Sequence, residues 1–298
     1  MTLYSGQLVA QSELSVVITF APDYAEDLAH YGLPGGQLQT PVLRVDGRAT
    51  EDTTAAVAAE VPVAFQYNGI AHAVMLATPE DLEDFALGFS LSEGIVENRA
   101  EFYGVEVQPA YAGITLAIDA ATEAFARLKN RRRTLAGRTG CGICGTESLD
   151  QVQRSLPALG GRGPRLKPAA LEHAQAQLAA HQPLQRATGS THGAAWCAPD
   201  GTVLLVREDV GRHNALDKLI GALLRDKVDT GAGFALITSR ASIEMVQKSA
   251  TAGIALLAAV SAPTGFAVRT ANACGQTLVG FVRGAGFTIY THHQRIVL

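Results

Sequence analysis

From Val203 to the C-terminus, short apolar runs alternate with helical patterns, and this alternation constrains the fold more than any other feature of the sequence. Val203 to Val206, Phe234 to Thr238 and Ile254 to Val260 predict strands. Between the first two, Leu216, Leu219, Ile220, Leu223 and Leu224 repeat at helical spacing, with Asn214 expected as the cap. A second helix is expected from Ser242. Pro263-Thr264-Gly265 breaks the third strand and leads into another helix, which runs toward Cys274. Leu278 to Val282 and Phe287 to Thr291 predict a closing hairpin over Arg283 to Gly286. Strands alternating with helices require a layered α/β domain.

The N-terminal half is organised differently. Val61 to Tyr67 and Ile70 to Ala77 flank Asn68-Gly69, a pair suited to a tight hairpin because both turn positions need positive φ. Thr78-Pro79 is expected to start a helix, with Leu82, Phe85, Ala86 and Phe89 on its apolar face and Gly94 as its stop. Two short strands near Val105 and Leu116 and a helix near Phe125 complete a small α+β unit. The boundaries that follow are an extension over 1–44, the α+β unit over 45–138, a mobile loop over 139–147 and the α/β domain over 148–298. Gly160 to Pro164 reads as a further loop.

Hydrophobic residues make up 47% of the 298 residues and charged residues 17%, a composition that can bury a core and lies outside the disordered class. The net charge of −4 argues against coating nucleic acid by bulk electrostatics. No apolar run approaches a membrane span, and the N-terminus lacks a basic region followed by an apolar core, so a cytoplasmic protein is expected. Thiols stay reduced there, which favours catalytic or metal-binding roles for a close cysteine pair.

Cys141-Gly-Ile-Cys144-Gly is such a pair. Arg127, Lys129, Arg131, Arg132, Arg133 and Arg138 crowd upstream with no acid among them. Positive charge favours the thiolate, the nucleophilic form of a group whose free pKa is about 8.5. The flanking glycines let a bulky partner reach the sulfur. On the motif alone, three readings stay open: sulfur or redox chemistry, half of a zinc site, or an inert loop. No second close Cys/His pair completes a zinc site. The thioredoxin arrangement wants a helix starting at the first cysteine, whereas the capping box here, Ser148 with Gln151, lies beyond Cys144. Cys197 and Cys274 read as small buried hydrophobes.

Polar loops follow the predicted strands. Arg207 to Asn214 joins a strand to a helix, with Arg212, His213 and Asn214 suited to an anion and Glu208 and Asp209 able to accept from a purine or pterin edge. Ser239, Arg240 and Ser242 stand in the next such loop and Thr264 in the third. Phe281-Val282-Arg283-Gly284-Ala285-Gly286 offers a glycine-rich backbone and a guanidinium for a phosphate. Each loop taken singly is equally explained by capping, ion pairing or a hairpin turn; together they favour a phosphate-bearing ligand. The neighbouring His292 and His293 are not read as chelating one ion, because adjacent strand residues face opposite ways.

The CGICG segment, Glu208-Asp-Val-Gly-Arg-His-Asn-Ala-Leu-Asp-Lys218, Ser239-Arg-Ala-Ser-Ile-Glu244 and Gly280-Phe-Val-Arg-Gly284 with Tyr290-Thr-His292 together resemble the formate dehydrogenase accessory family, FdhD, from about Val45 to the C-terminus. The resemblance implies a sulfurtransferase that takes sulfur from a cysteine desulfurase and passes it to the molybdenum cofactor of formate dehydrogenase, in its bis-molybdopterin guanine dinucleotide form. It implies Cys141 as the persulfide carrier, Cys144 as helper or relay, residues 281–286 as the cofactor-binding stretch, a cytidine deaminase-like C-terminal domain and a homodimer. The HxE and PCxxC zinc signature of the deaminases is absent, so no catalytic zinc is expected. Two other classes remain: a dithiol redox protein, and a cofactor-binding chaperone that transfers no sulfur.

Overall fold

The computed structural model of the protein describes residues 35–110, 113–133 and 154–298. The described chain opens with an antiparallel ribbon, β1 (Gln37–Asp46) and β2 (Ala49–Ala58), so regular structure begins inside the segment read as an extension and crosses the boundary placed at 44/45. The signal is weak in sequence because the ribbon buries little. The hairpin expected around Asn68-Gly69 forms from β3 (Val61–Tyr67) and β4 (Ile70–Ala77), with φ of 46° and 82° at the two turn residues. Helix α1 (Leu82–Ser92) follows, then β5 (Phe102–Ala110), β6 (Gly113–Ala120) and α2 (Thr122–Arg133). The four strands make one sheet, order β4-β3-β6-β5, with β3 and β6 parallel.

Helix α1 starts at Leu82, later than Thr78-Pro79 suggested. Thr78 is fully buried and already engaged: its N–H donates to Asp209 Oδ2 at 3.0 Å and its carbonyl accepts from Lys218 at 2.9 Å. The expected apolar face is correct, since Leu82, Phe85, Ala86 and Phe89 are all buried, and Gly94 ends the turn at a φ of 64°.

The second half builds a six-stranded mixed sheet. Its elements are α3 (Pro168–Leu178), α4 (Pro183–Thr188), β7 (His192–Cys197), β8 (Val203–Asp209), α5 (Arg212–Arg225), β9 (Phe234–Ile237), α6 (Ile243–Thr251), β10 (Leu256–Ala259), α7 (Gly265–Cys274), β11 (Thr277–Arg283) and β12 (Gly286–Thr291). The order is β12-β11-β10-β9-β7-β8. Strands β9, β10 and β11 run parallel, β7 is antiparallel to both of its neighbours, and β12 closes the hairpin expected with β11. Both faces of the sheet are covered. Ala235 and Ile237 of β9 pack with Leu216, Leu219 and Ile220 of α5, while Phe234 and Leu236 pack with Leu171, Ala174 and Leu178 of α3. A strand buried on both faces loses its polar alternation, which is why these runs read as continuously apolar.

The two halves share one core, and helices α1 and α5 carry much of the contact between them. Two glycines allow their close crossing: a Cβ on Gly88 would overlap the Asp217 carbonyl, and one on Gly221 would overlap the Asp84 carbonyl. Alanine normally stabilises a helix interior over glycine by about 1 kcal/mol. Here Gly221→Ala is expected to lower unfolding free energy by about 2 kcal/mol despite that propensity, because backbone must move. Chemical denaturation checks this, and a variant as stable as the parent contradicts the crossing.

Candidate functional site

The direction of the strands places the polar loops on one edge of the six-stranded sheet. The C-terminal ends of β8, β9, β10 and β11 and the N-terminal end of β7 point the same way, as their pairing requires. Along that edge stand Phe281 and Arg283, then Thr264, then Ser239, Arg240 and Ser242, then His192, then Arg212 and His213. Adjacent strands lie about 4.8 Å apart, so the row is about 20 Å long. That length suits an extended ligand rather than a small ion.

Within the row, residues divide into those that hold the scaffold and those with unspent bonding capacity. Asp209 and Glu208 turn inward. Asp209 is fully buried, pairs with Lys218 at 2.7 Å and accepts from the N–H groups of Thr78 and Gly211 and from Asn214 Nδ2. Glu208 accepts from the N–H groups of Leu184 and Gln185 and from Thr191 Oγ1. Asn214 lies inside α5 instead of capping it; Gly211 occupies the cap position, and Asn214 Nδ2 bridges Asp209 and the Leu76 carbonyl. Thr264 caps α7 through the Ala267 N–H at 3.3 Å, and Ser239 Oγ donates to the Arg240 carbonyl at 3.2 Å. Val282 is fully buried in the core.

Three buried polar atoms on the edge have no hydrogen-bond partner among the described residues: Arg212 Nε, His213 Nε2 and Ser242 Oγ. A buried polar group without a partner costs about 1–3 kcal/mol, so three in one row mark a place where a ligand can supply partners. Arg240 is exposed beside them. At the other end Phe281 holds a φ of 55° with 42% of its surface exposed, and the Arg283 guanidinium lies 5.9 Å from its ring centre. Positive φ at a bulky residue is strained, and strain of this kind concentrates at binding sites. Gly284, Ala285 and Gly286 form the turn into β12.

Sequence reasoning missed β7 as an element, though Thr191-His192-Gly193 at its start reads as either a ligand contact or a loop; a cavity of about 470 Å³ lies there beside the row, lined by Gln182, Gln185, Ser190, Thr191, His192 and Thr238. Gln185 Oε1 accepts from the Thr191 N–H at 2.9 Å. Strand β7 carries Ala194, Ala195 and Trp196 after Gly193, a composition that does not announce a strand. Helix α3 was missed as well, although Pro168 at its first turn and buried Ala170, Leu171, Ala174 and Leu178 carry its signature.

Electrostatics along the row follow burial. Burial pushes the His213 imidazole down to about 4, helped by the charges of Arg212 and Lys248, and burial with Arg212 lowers His192. Both rings are therefore neutral near pH 7. Burial also pushes the Cys197 thiol up to about 12 and raises Cys274, which leaves both as inert thiols.

A buried charge cluster braces the site from below. Lys248 Nζ donates to Asp217 Oδ2 at 2.8 Å, Glu93 Oε1 at 2.7 Å and Ser92 Oγ at 3.0 Å. Burial opposes the Lys248 ammonium, but Asp217 and Glu93 outweigh it and hold it above its ordinary value. Burial likewise opposes the Glu93 carboxylate, and Lys248 with Arg154 holds it well below the usual range. Arg154 donates to the Ser92 carbonyl at 3.0 Å and pairs with Glu93. It is the first described residue after the cysteine motif. Cys141, Cys144, Arg138 and the Ser148–Gln151 capping box lie outside the described residues. Of the upstream cations, Arg127 pairs with Glu101, and Lys129 sits 4.3 Å from the Phe125 ring centre. No group of three or more His, Cys, Asp or Glu side chains among the described residues could hold a metal ion, and no described helix is long and apolar enough to cross a membrane.

A model of the FdhD/NarQ family matches residues 58–297. The chain belongs to the FdhD/NarQ family. It is 58% identical over 263 residues to the sulfur carrier protein FdhD of Variovorax paradoxus, covering 88% of this chain and 94% of that protein. It is also 58% identical over 240 residues to the sulfur carrier protein FdhD of Cupriavidus necator, covering 80% and 83%. Among solved structures, a protein from Desulfotalea psychrophila described as a formate dehydrogenase accessory protein superposes with a TM-score of 0.70 at 22% identity, covering 88% of this chain and 99% of that one. That likeness shows a shared fold.

The depressed His213 value gives a pH dependence with a defined sign. An unfolded histidine takes its proton near 6.5 and the folded one near 4, so between those values the unfolded state binds more protons. The stabilisation is full above about 6.5 and is lost as pH falls toward 4. Denaturation midpoints measured across this window should drop less in His213→Gln than in the parent; equal slopes contradict the assignment.

Proposed function

We propose that this protein is a cytoplasmic sulfur carrier for formate dehydrogenase, loading sulfane sulfur on Cys141 and delivering it to a molybdenum cofactor of the bis-molybdopterin guanine dinucleotide type laid along the sheet edge. The observation that carries this reading is the row of strand ends, about 20 Å long, in which Arg212, His213 and Ser242 hold buried groups without partners. The names of the close relatives support the sulfur chemistry. The cofactor is substrate here, not a resident group.

Cys141 thiolate attacks the terminal sulfur of a cysteine desulfurase persulfide; a new S–S bond forms, the old one breaks, and the donor leaves as its thiolate. Cys141 then carries S–SH. For delivery, Cys144 thiolate attacks the inner sulfur of Cys141, expelling hydrosulfide toward the cofactor and leaving a Cys141–Cys144 disulfide. A cellular dithiol must reduce that disulfide before the next cycle. Arg212, Arg240 and Arg283 hold phosphates, Ser242 and His213 orient them, and Phe281 stacks on a planar ring. Glu208, Asp209, Asn214, Ser239 and Thr264 shape the edge, and Val282 to Gly286 form the turn that presents Phe281 and Arg283. The sheet with helices on both faces is read as deaminase-like layering, preceded by the α+β unit and joined to it through the cysteine-bearing stretch.

Guanosine diphosphate, which carries the guanine and diphosphate of this cofactor class, is a usable probe. Arg212→Met should weaken its binding about tenfold or more by calorimetric titration, the value of one charge-assisted hydrogen bond. Persulfide loading should be unchanged in the same variant. Undiminished binding contradicts the placement of the ligand on this edge. A parent protein that binds the probe but carries no sulfur would be a chaperone, and one that shows only a dithiol couple would be a redox protein.

A further inference from the structure

Strand β11 bulges where it presents Phe281. Gly280 pairs with Thr288 and Arg283 with Gly286, so Phe281 and Val282 together oppose Phe287. Simple alternation would put Val279 and Phe281 on one face of the sheet. Instead Val279 and Val282 both pack in the cluster that holds Leu171, Ala174 and Leu178 of α3. The bulge turns Val282 in and Phe281 out, in keeping with the buried Val282 and the positive φ and exposed ring of Phe281.

An aromatic ring set outside the core has no packing of its own to fix it, and the glycines at 284 and 286 give the following turn conformational freedom. Hydrogen bonds do the fixing. The Phe281 N–H donates to the Ser261 carbonyl at 3.2 Å, and Arg283 Nε donates to the Val260 carbonyl at 3.2 Å. Both of these tie the hairpin to the chain that leaves β10. A third bond comes from outside the sheet: the Gly284 N–H, at a residue with a φ of 56°, donates to Gln175 Oε1 at 3.2 Å. Gln175 follows Ala174 in α3. The helix therefore holds the hairpin twice, through Ala174 in the cluster with Val282 and through the side-chain amide of the next residue.

We infer that Gln175 is a positioning residue for ligand binding, which acts by fixing the turn that presents Phe281 and Arg283. The inference rests on the proposed placement of the cofactor along the sheet edge. It extends the binding machinery to α3, a helix on one face of the sheet and remote in sequence from residues 281–286.

Gln175→Met removes the acceptor while keeping the length and helix preference of the side chain. Affinity for guanosine diphosphate, measured by calorimetric titration, should fall about threefold to tenfold, the value of one net hydrogen bond. Thermal unfolding should coincide with the parent, because the bond lies at the surface. In an Arg283→Met background the same substitution should cost less than about twofold, since anchor and anchored group act as a unit. Equal losses in both backgrounds overturn the inference. A second measurement needs no ligand. Hydrogen exchange of the backbone amides at 281–286 should quicken in Gln175→Met and return toward the parent in Gln175→Glu, whose carboxylate still accepts. Exchange indifferent to Gln175→Met overturns the inference alone, in a parent that still binds the probe. A parent that does not bind guanosine diphosphate contradicts the placement of the cofactor and takes the positioning role down with it.

Discussion

The buried pair of Asp209 and Lys218 is the interaction on which the arrangement of the site depends. Both side chains are wholly shielded from water, 2.7 Å apart, and Asp209 also accepts from Thr78, Gly211 and Asn214. One carboxylate therefore ties the end of β8 and the start of α5 to the segment between β4 and α1. Such a pair gives little net stability over an apolar substitute, but removing one partner strands a charge at a cost of about 3–5 kcal/mol. What it provides is geometry. With Asp209 drawn inward, the next turn of chain must present Arg212 and His213 at the sheet edge.

The same division of labour recurs along the edge. Glu208 ties down α4, Thr264 caps α7, and the Lys248 cluster joins α1, α5 and α6. Each of these residues is saturated by protein partners. Arg212, His213 and Ser242 are not. A site that binds an extended anion needs both kinds: saturated groups that cannot move, and donors held ready with no better partner. The neutral state of His213 near pH 7 leaves the positive charge on the arginines, which suit phosphate geometry.

Much of this was legible in the sequence where local chemistry and tertiary packing agree. The Asn68-Gly69 hairpin, the apolar face of α5 and the β11–β12 hairpin are set by turn sterics and by periodicity, and each stands where expected. The helix starts at Thr78 and Asn214 were misplaced because both side chains have the chemistry of caps but are engaged elsewhere: Thr78 Oγ1 accepts from the Val210 N–H, and Asn214 Nδ2 donates to Asp209 and to the Leu76 carbonyl. No local pattern reveals that Thr78 and Val210, or Asn214 and Leu76, meet across more than a hundred residues of sequence. Strand β7 escaped because alanines and a glycine give no strand signature, yet Gly193 is the residue that lets the Gln182 amide lie against the strand. The polar row itself was read in sequence as loops acting together; their order along the edge comes from the order of strands in the sheet.

The central claim, that Cys141 carries sulfur, is tested most directly by intact mass after incubation with a cysteine desulfurase and cysteine. The account predicts a gain of sulfur in the parent that a reductant removes and that is absent from Cys141→Ala. An unchanged parent mass with a competent desulfurase, or an equal gain in Cys141→Ala, would contradict it.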